Sequence, residues 1–325
     1  MIARTDPELS IVIPCHNEEA NVRAICAAVT GQAERHAASH EIILIDNCST
    51  DGTATIMREL CAADPRIRAI LNNRDYGQMR SPTYGIYQAR GRAVIGMCAD
   101  FQDPPELIGE FLRRWRAGCR IVLGQRRSER SAAWLRAGRR IGYGFVRRYA
   151  DYPVIPGATG FGLYDREVVD TLAAWNEPEP YFRGMLVESG FPLSLVPFDR
   201  PPRAAGESKN DFAALFSFCV SSLASSSRKL LRLPIVLSFY AWVVTLLLLV
   251  GAGGSLFFGG PAGMLGALGL GTGMFATILL FLGLMGEQLR LMAERSRNVP
   301  LVIEQERINF PSAAAPRRAD RIRSA

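Results

Sequence analysis

Short apolar runs and longer amphipathic stretches alternate through the first part of the chain. Leu9 to Pro14, Glu41 to Ile45, Ile67 to Leu71, Ala93 to Met97 and Arg120 to Leu123 are apolar runs of strand length bounded by polar or turn residues. Between them the spacing predicts helices ending near His36 and near Ala63, then Gln78 to Ala89 with Gly91 as its stop, then Leu107 to Ala117. Ser49 or Thr50 is placed to cap the second of these. Strand and helix alternate five times over about 120 residues, which predicts an α/β domain: a mainly parallel sheet with helices on both faces.

The pattern changes abruptly further on. From Leu233 to Gly286 there is no charged residue and no His, 54 positions in a row. A helix needs about 20 apolar residues to cross a bilayer, so this run fits two spans, near 235–258 and 262–286, with Gly259-Gly260-Pro261 as the break. Arg228, Lys229 and Arg232 precede it, and Arg290, Arg295 and Arg297 follow it. Positive-inside then places both termini in the cytoplasm. Before the spans, Phe212, Leu215, Phe216, Cys219, Val220 and Leu223 recur at helical spacing. That stripe fits an interfacial helix or a helix packed on the preceding domain. The expected division is a catalytic domain over 1–210, an amphipathic helix over 211–232, two spans within 233–286 and a basic tail over 287–325. In the tail, Val299 to Ile303 has strand character, and Ser312 to Ala325 has the composition of a disordered segment.

Composition narrows the chemistry. The seven Cys follow no regular spacing and form no Cys-x-x-Cys pair, which argues for a reducing compartment and against a zinc site. No secretory leader is expected before the first strand. The net charge of +7 is mostly arginine and by itself fits nucleic acid, a membrane surface or phosphate ligands. The apolar run favours the last two, and nucleic acid is not expected as a partner. Arg126 to Tyr149 carries eight Arg and one acid, with Trp134, Leu135, Ile141, Tyr143, Phe145 and Val146 interleaved. Such a stretch suits anionic lipid headgroups, with most of the arginines simply solvated.

Candidate chemistry sits at the strand ends. Cys98-Ala99-Asp100-Phe101-Gln102-Asp103-Pro104-Pro105-Glu106 follows the fourth strand. Open α/β sheets bind ligands at the carboxyl ends of their strands. A carboxylate and an amide two residues apart suit a hard divalent cation. The first turn, Cys15-His16-Asn17-Glu18-Glu19, lacks Gly-x-Gly-x-x-Gly, so it does not cradle phosphates as a dinucleotide fold does. Asp46 ends the second strand and shares the edge with Glu18 and Asp100, which favours ligand contact there. Asp51-Gly52 reads as a turn.

Four motifs occur in order: Pro14-x-x-Asn17-Glu18, Asp46-Asn47-x-Ser49-x-Asp51-Gly52-Thr53, Ala99-Asp100-x-Gln102-Asp103-Pro104-Pro105, and Arg203-Ala-Ala-Gly206-Glu-Ser208-Lys209, before the apolar run. Together they resemble the family 2 glycosyltransferases of the GT-A fold, and more narrowly the polyprenyl-phosphate glycosyltransferases, over nearly the whole chain. The resemblance implies a nucleotide-sugar donor, UDP- or GDP-linked, and a polyprenyl phosphate acceptor such as undecaprenyl phosphate. Pro14, Asn17, Glu18 and Asp46 would line the nucleoside pocket. Asp100 and Gln102 would hold Mg²⁺ or Mn²⁺ against the diphosphate, with Asp100 and Asp103 as the catalytic acids. Arg203 and Lys209 would meet phosphate, and Arg126 and Arg136 would grip the lipid phosphate. A bacterial inner-membrane enzyme with a cytoplasmic catalytic domain is implied. Similar enzymes form oligomers, and a tetramer is expected; Gly259-x-x-x-Gly263 and Gly269-x-x-x-Gly273 permit close helix packing.

Two positions depart from the family pattern. Cys98 stands where the first acid of Asp-x-Asp is usual, and a soft thiol is a poor ligand for a hard ion. The acid that many members carry after the fifth strand falls on Gly160, and Asp165 lies too far along to replace it. Two other functions stand beside the first: transfer to a sugar hydroxyl or a glycerolipid, which would need a base, and a catalytically degenerate membrane scaffold, which these two departures support.

Overall fold

Each apolar run forms a strand because both of its faces find a helix to cover them. In the computed structural model, residues 6–127, 155–201, 262–297 and 299–310 are described. In order these form β1 (Leu9–Cys15), α1 (Val22–His36), β2 (His40–Asp46), α2 (Thr53–Ala63), β3 (Ile67–Asn72), α3 (Gly77–Gln88), β4 (Ala93–Gly96), α4 (Leu107–Arg116) and β5 (Ile121–Arg126). Then follow β6 (Ala158–Asp165), α5 (Arg166–Ala174), α6 (Phe182–Glu188), β7 (Leu193–Phe198), α7 (Ala262–Arg297) and β8 (Glu304–Ile308).

The strands make one eight-stranded sheet in the order β7-β5-β6-β4-β1-β2-β3-β8. β1 pairs in parallel with both β2 and β4, and β2 with β3. β6 runs antiparallel between β4 and β5, and β8 runs antiparallel along β3. β7 is parallel to β5, so the carboxyl ends of β1 to β5 and β7 share one edge. Successive strand residues supply opposite cores, as the pleat requires. Ile11, Ile13, Ile42 and Leu44 pack with Val22, Ile25, Met57 and Phe111 from α1, α2 and α4. Val12, Ile43, Ile45 and Ile70 pack with Ile86, Val168, Leu172 and Leu186 from α3, α5 and α6. Each fully buried aliphatic side chain contributes roughly 1.5–3 kcal/mol.

Several local expectations are corrected. α2 starts at Thr53 with Gly52 at its N-cap and no side-chain cap; Ser49 and Thr50 bond elsewhere. Gly91 does not end α3, which stops at Gln88; its place is set by β1, because a Cβ there would stand 2.5 Å from the Ser10 amide nitrogen. The last strand is Glu304–Ile308, after the expected Val299–Ile303, and it pairs with β3. Asp165 caps α5 by accepting from the Glu167 amide, and it also accepts from Trp115 Nε1 at 2.7 Å.

The chain divides into two compact units: Met1–Arg130 with Ile155–Lys209 and Pro300–Ala325, and Ser131–Val154 with Asn210–Val299. The sheet belongs to the first. In the second, α7 is a single helix of 36 residues, and its described apolar side chains Met264, Met274, Phe275, Ile278, Leu282, Met285, Leu289 and Met292 are exposed. Among the described residues, no helix is long and apolar enough to cross a membrane. The first expected span, the interfacial stripe, and Arg136, Arg203 and Lys209 lie outside the described residues.

Candidate active site

The chain lays down β1, β2 and β3 to one side, then crosses back to place β4 on the other side of β1. The loops after β1 and β4 therefore diverge, and a crevice opens between them at the carboxyl edge. Three loops border it, and each holds a non-glycine residue in the left-handed region: Asn17 at φ 56°, Cys48 at φ 61° and Phe101 at φ 59°. Each such residue costs on the order of 1 kcal/mol or more and persists only where its surroundings fix it.

The first two loops fix each other. The Asn17 amide donates to Ser49 Oγ at 2.9 Å, and Asn17 Oδ1 accepts from the Thr50 amide at 2.8 Å. The Glu18 amide donates to Thr53 Oγ1 at 2.9 Å, and Glu18 Oε2 accepts from Asn21 Nδ2 at 2.7 Å. Asp46, paired with Cys15 across the strands, is 3% exposed, and Ser49 donates to it from both its amide and its hydroxyl. Pro14 lies opposite Ile45 one residue earlier. The expected nucleoside group of Pro14, Asn17, Glu18 and Asp46 is thus assembled on adjacent strand ends. Asp51 closes the start of α2 by accepting from the Thr53 and Glu19 amides, the turn role expected of it.

The third loop is a turn closed by its own acids. Asp100 Oδ1 accepts from the Gln102 amide at 3.1 Å, and Asp103 Oδ2 accepts from the Cys98 amide at 2.9 Å. Asp100 and Asp103 are both buried. Burial pushes the Asp103 carboxyl above its ordinary value and the charge of Asp100 adds to this, while bonds from Cys98 and the charge of Arg126 oppose it. Cys98 is exposed, yet its thiol is held well above its ordinary value, first by the Asp103 carboxylate, then by the protein atoms crowding the sulfur and by Asp100.

Three guanidinium groups belong to the same edge. Arg126 ends β5 opposite Phe198 at the end of β7. Arg200, two residues past β7, donates to Gln102 Oε1. Arg183 of α6 donates to the Ala158 carbonyl, at the end of β6 that meets this edge. Gly160 is close by at φ 88°, and a Cβ there would stand 3.5 Å from Arg183 Cγ. An aliphatic arginine stem, and no carboxylate of this residue, therefore occupies the neighbourhood of the family's usual acid.

The sequence gives no sign of Arg183, Arg200 or Asp75 at this edge, and gives Asn47 only as a motif residue without a role. Asn47 Oδ1 accepts from the Tyr76 amide at 2.9 Å and from Asn72 Nδ2 at 3.2 Å, and Asn47 Nδ2 donates to Asp75. Arg200 needed β7, which has no continuous apolar run.

An open, mainly parallel sheet with a polar crevice at its switch point defines an α/β protein that takes its ligand at the strand ends. The chain belongs to glycosyl transferase family 2, whose model matches residues 10–172. An uncharacterised glycosyltransferase of Synechocystis sp. is 32% identical over 221 residues, which is 68% of this chain and 70% of that protein. A bactoprenol glucosyl transferase of Shigella phage SfV is 30% identical over 228 residues, covering 69% of this chain and 74% of that protein. Among solved structures, glucosyl-3-phosphoglycerate synthase from Mycobacterium tuberculosis aligns with a TM-score of 0.47 at 16% identity, over 67% of this chain and 78% of that one.

Proposed function

We propose that this glycosyltransferase moves a sugar from a UDP- or GDP-sugar to a polyprenyl phosphate at the cytoplasmic face of a bacterial inner membrane, with inversion at the anomeric carbon. The observation that carries the reading is the charge pattern at the crevice: the carboxylates of the 100–103 turn face an edge with Arg126, Arg183 and Arg200, and no acid stands at Gly160. A sugar hydroxyl acceptor needs a base to take its proton. A lipid phosphate, with a second pKa of about 6, is largely ionised at neutral pH and needs only placement and screening. The bactoprenol glucosyl transferases among the relatives support the same acceptor.

The transfer balances without a proton. A phosphate oxygen of the lipid forms the new bond to the anomeric carbon, and the bond from that carbon to the nucleoside diphosphate breaks. Asn17, Glu18 and Asp46, fixed by the Ser49 and Thr53 bonds, would hold the nucleoside. Asp103 would support the turn that presents Asp100. Arginines would place the lipid head group, with Arg126, Arg136, Arg203 and Lys209 as the assigned phosphate and lipid contacts.

Asp100 and the Gln102 amide oxygen are hard donors and fit Mg²⁺ or Mn²⁺, whereas the thiol of Cys98 does not. Among the described residues, no group of three or more His, Cys, Asp or Glu is arranged to hold an ion, so the diphosphate would supply most of the ligands. When bound, such a cation neutralises charge on the departing diphosphate. The apolar run over 233–286 and the exposed apolar side chains of α7 support a membrane-embedded second unit. Its glycine-rich segments permit close helix packing, and we propose a homo-oligomer, a tetramer.

The test is incubation of the purified full chain with undecaprenyl phosphate, Mg²⁺ or Mn²⁺, and a panel of labelled UDP- and GDP-sugars. A labelled lipid with inverted configuration is expected. Label appearing only in a sugar-hydroxyl or glycerolipid acceptor would redirect the reading to that acceptor, and label in none would leave a scaffold.

A further inference from the structure

The segment Pro300–Asn309 returns to the sheet after α7 and is joined to the loop after β3 through Tyr76 and through the Asn73 amide, which donates to the Ile303 carbonyl at 3.2 Å. Tyr76, in the loop between β3 and α3, is buried and bonded at both ends. Its amide donates to Asn47 Oδ1 at 2.9 Å, next to Asp46. Its hydroxyl donates to Asn73 Oδ1 at 2.7 Å and accepts from the Ile303 amide at 3.1 Å. The Arg74 guanidinium lies 4.0 Å from the centre of its ring, and Arg80, which donates to the Pro300 carbonyl at 3.1 Å, lies at 5.7 Å.

Asn47 is a node. It directs Nδ2 to Asp75 and lies with its carbonyl oxygen 3.0 Å from His16 Nδ1 in the β1 loop. A continuous polar path therefore runs from Ile303 through Tyr76 and Asn47 to the loops that carry Asn17, Asp46 and Asp75. The return segment does not depend on this path for its own anchorage. Arg58 pairs with Glu306 at 2.8 Å, Tyr84 donates to Glu304 at 2.8 Å, and Asn309 Nδ2 donates to the Cys61 and Ile67 carbonyls at 2.6 and 2.8 Å. The Tyr76 hydroxyl thus adds a bond between this segment and the residue whose amide holds Asn47.

We propose that Tyr76 is a positioning residue of the nucleoside pocket, through which the return segment Pro300–Asn309 sets the affinity for the nucleoside diphosphate of the donor. The inference rests on the nucleotide-sugar reading above. Tyr76 itself touches no reacting atom. Its work is to hold the Asn47 side chain, and with it the β2 and β3 loops, in the arrangement that receives a base and ribose.

The experiment measures UDP and GDP binding to the full chain by calorimetry, alongside donor KM and kcat with undecaprenyl phosphate. Tyr76→Phe removes only the hydroxyl, and Asn73→Ala removes its acceptor. Both are expected to weaken nucleoside diphosphate binding about fivefold, the effect of one hydrogen bond of ordinary strength, and to raise donor KM with kcat within about twofold. Because Tyr76→Phe already breaks the bond that Asn73→Ala removes, the double variant is expected to be no worse than Tyr76→Phe alone. Tyr84→Phe, which removes a bond to Glu304 of the same segment, is expected to leave KM unchanged. Unchanged binding in Tyr76→Phe, or an equal loss in Tyr84→Phe, overturns the proposal while the donor reading stands. A wild-type chain that binds neither UDP nor GDP overturns the donor reading and the proposal together.

Discussion

Asp100 is held where it is by its own turn: its carboxylate accepts from the Gln102 amide while Asp103 ties down the Cys98 amide. Asp100→Asn keeps the size and one acceptor but removes the charge. Transfer is expected to fall about a hundredfold or more, with a matching loss of cation-dependent UDP or GDP binding, read by turnover and by calorimetry with and without Mn²⁺. Cys98 gives an independent check on the same turn. The thiolate is the reactive form, and Asp103 and Asp100 disfavour it. At pH 7.5 its alkylation by iodoacetamide is therefore expected to be slow despite exposure, rising about tenfold per pH unit until the raised pKa is reached. Asp103→Asn removes the largest opposing charge and is expected to speed alkylation at pH 8; peptide mass mapping reads the rate at Cys98 apart from buried Cys15, Cys26 and Cys61. Asp100, Gln102 and Asp103 were legible in the sequence as a motif. Their division of labour was not, because which amide each acid accepts from depends on the path of the folded turn. Arg183 and Arg200 were not legible at all. They come from elements far along the chain that only the sheet brings to this edge.

The strands that were easiest to read are the ones buried on both faces. β1 to β5 appear as mainly apolar runs because helices cover each side of the sheet there. β6 carries Gly160 and Gly162 among its eight residues, β7 is half-exposed, and β8 reads Glu-Gln-Glu-Arg-Ile, so none of them stands out from its surroundings. At the edge opposite the crevice a polar cluster ties the strand starts together. Glu41 of β2 is 2% exposed, forms an ion pair with Arg68 of β3, and accepts from Ser10 Oγ of β1 at 2.6 Å and from the Arg90 amide at 2.8 Å. Removing one partner of a buried pair leaves the other charge uncompensated. Glu41→Ala is expected to destabilise the chain by about 3–5 kcal/mol, measured as the shift in urea midpoint, while donor KM in the surviving folded protein stays near the wild-type value. An equal loss of donor affinity would mean that this edge communicates with the crevice.

At the scale of the whole molecule, the α/β architecture was readable from the alternation of runs, and the family from four motifs in series. The path of the chain was less so, because a charged strand such as β8 acquires its partners from across the sequence. Glu306 pairs with Arg58, 248 positions earlier. The catalytic sheet is consequently assembled from both sides of the apolar stretch, and a fragment ending before Pro300 would lack its outer strand. There is a consequence for biosynthesis. At roughly 5–20 residues per second, a ribosome that has made Arg58 needs on the order of 10–50 s more to deliver Glu306. Throughout that interval β3 has no neighbour on its outer side, and an unpaired strand invites pairing with another nascent chain. Whatever shields that border would have to stay until the residues around Glu306 leave the exit tunnel.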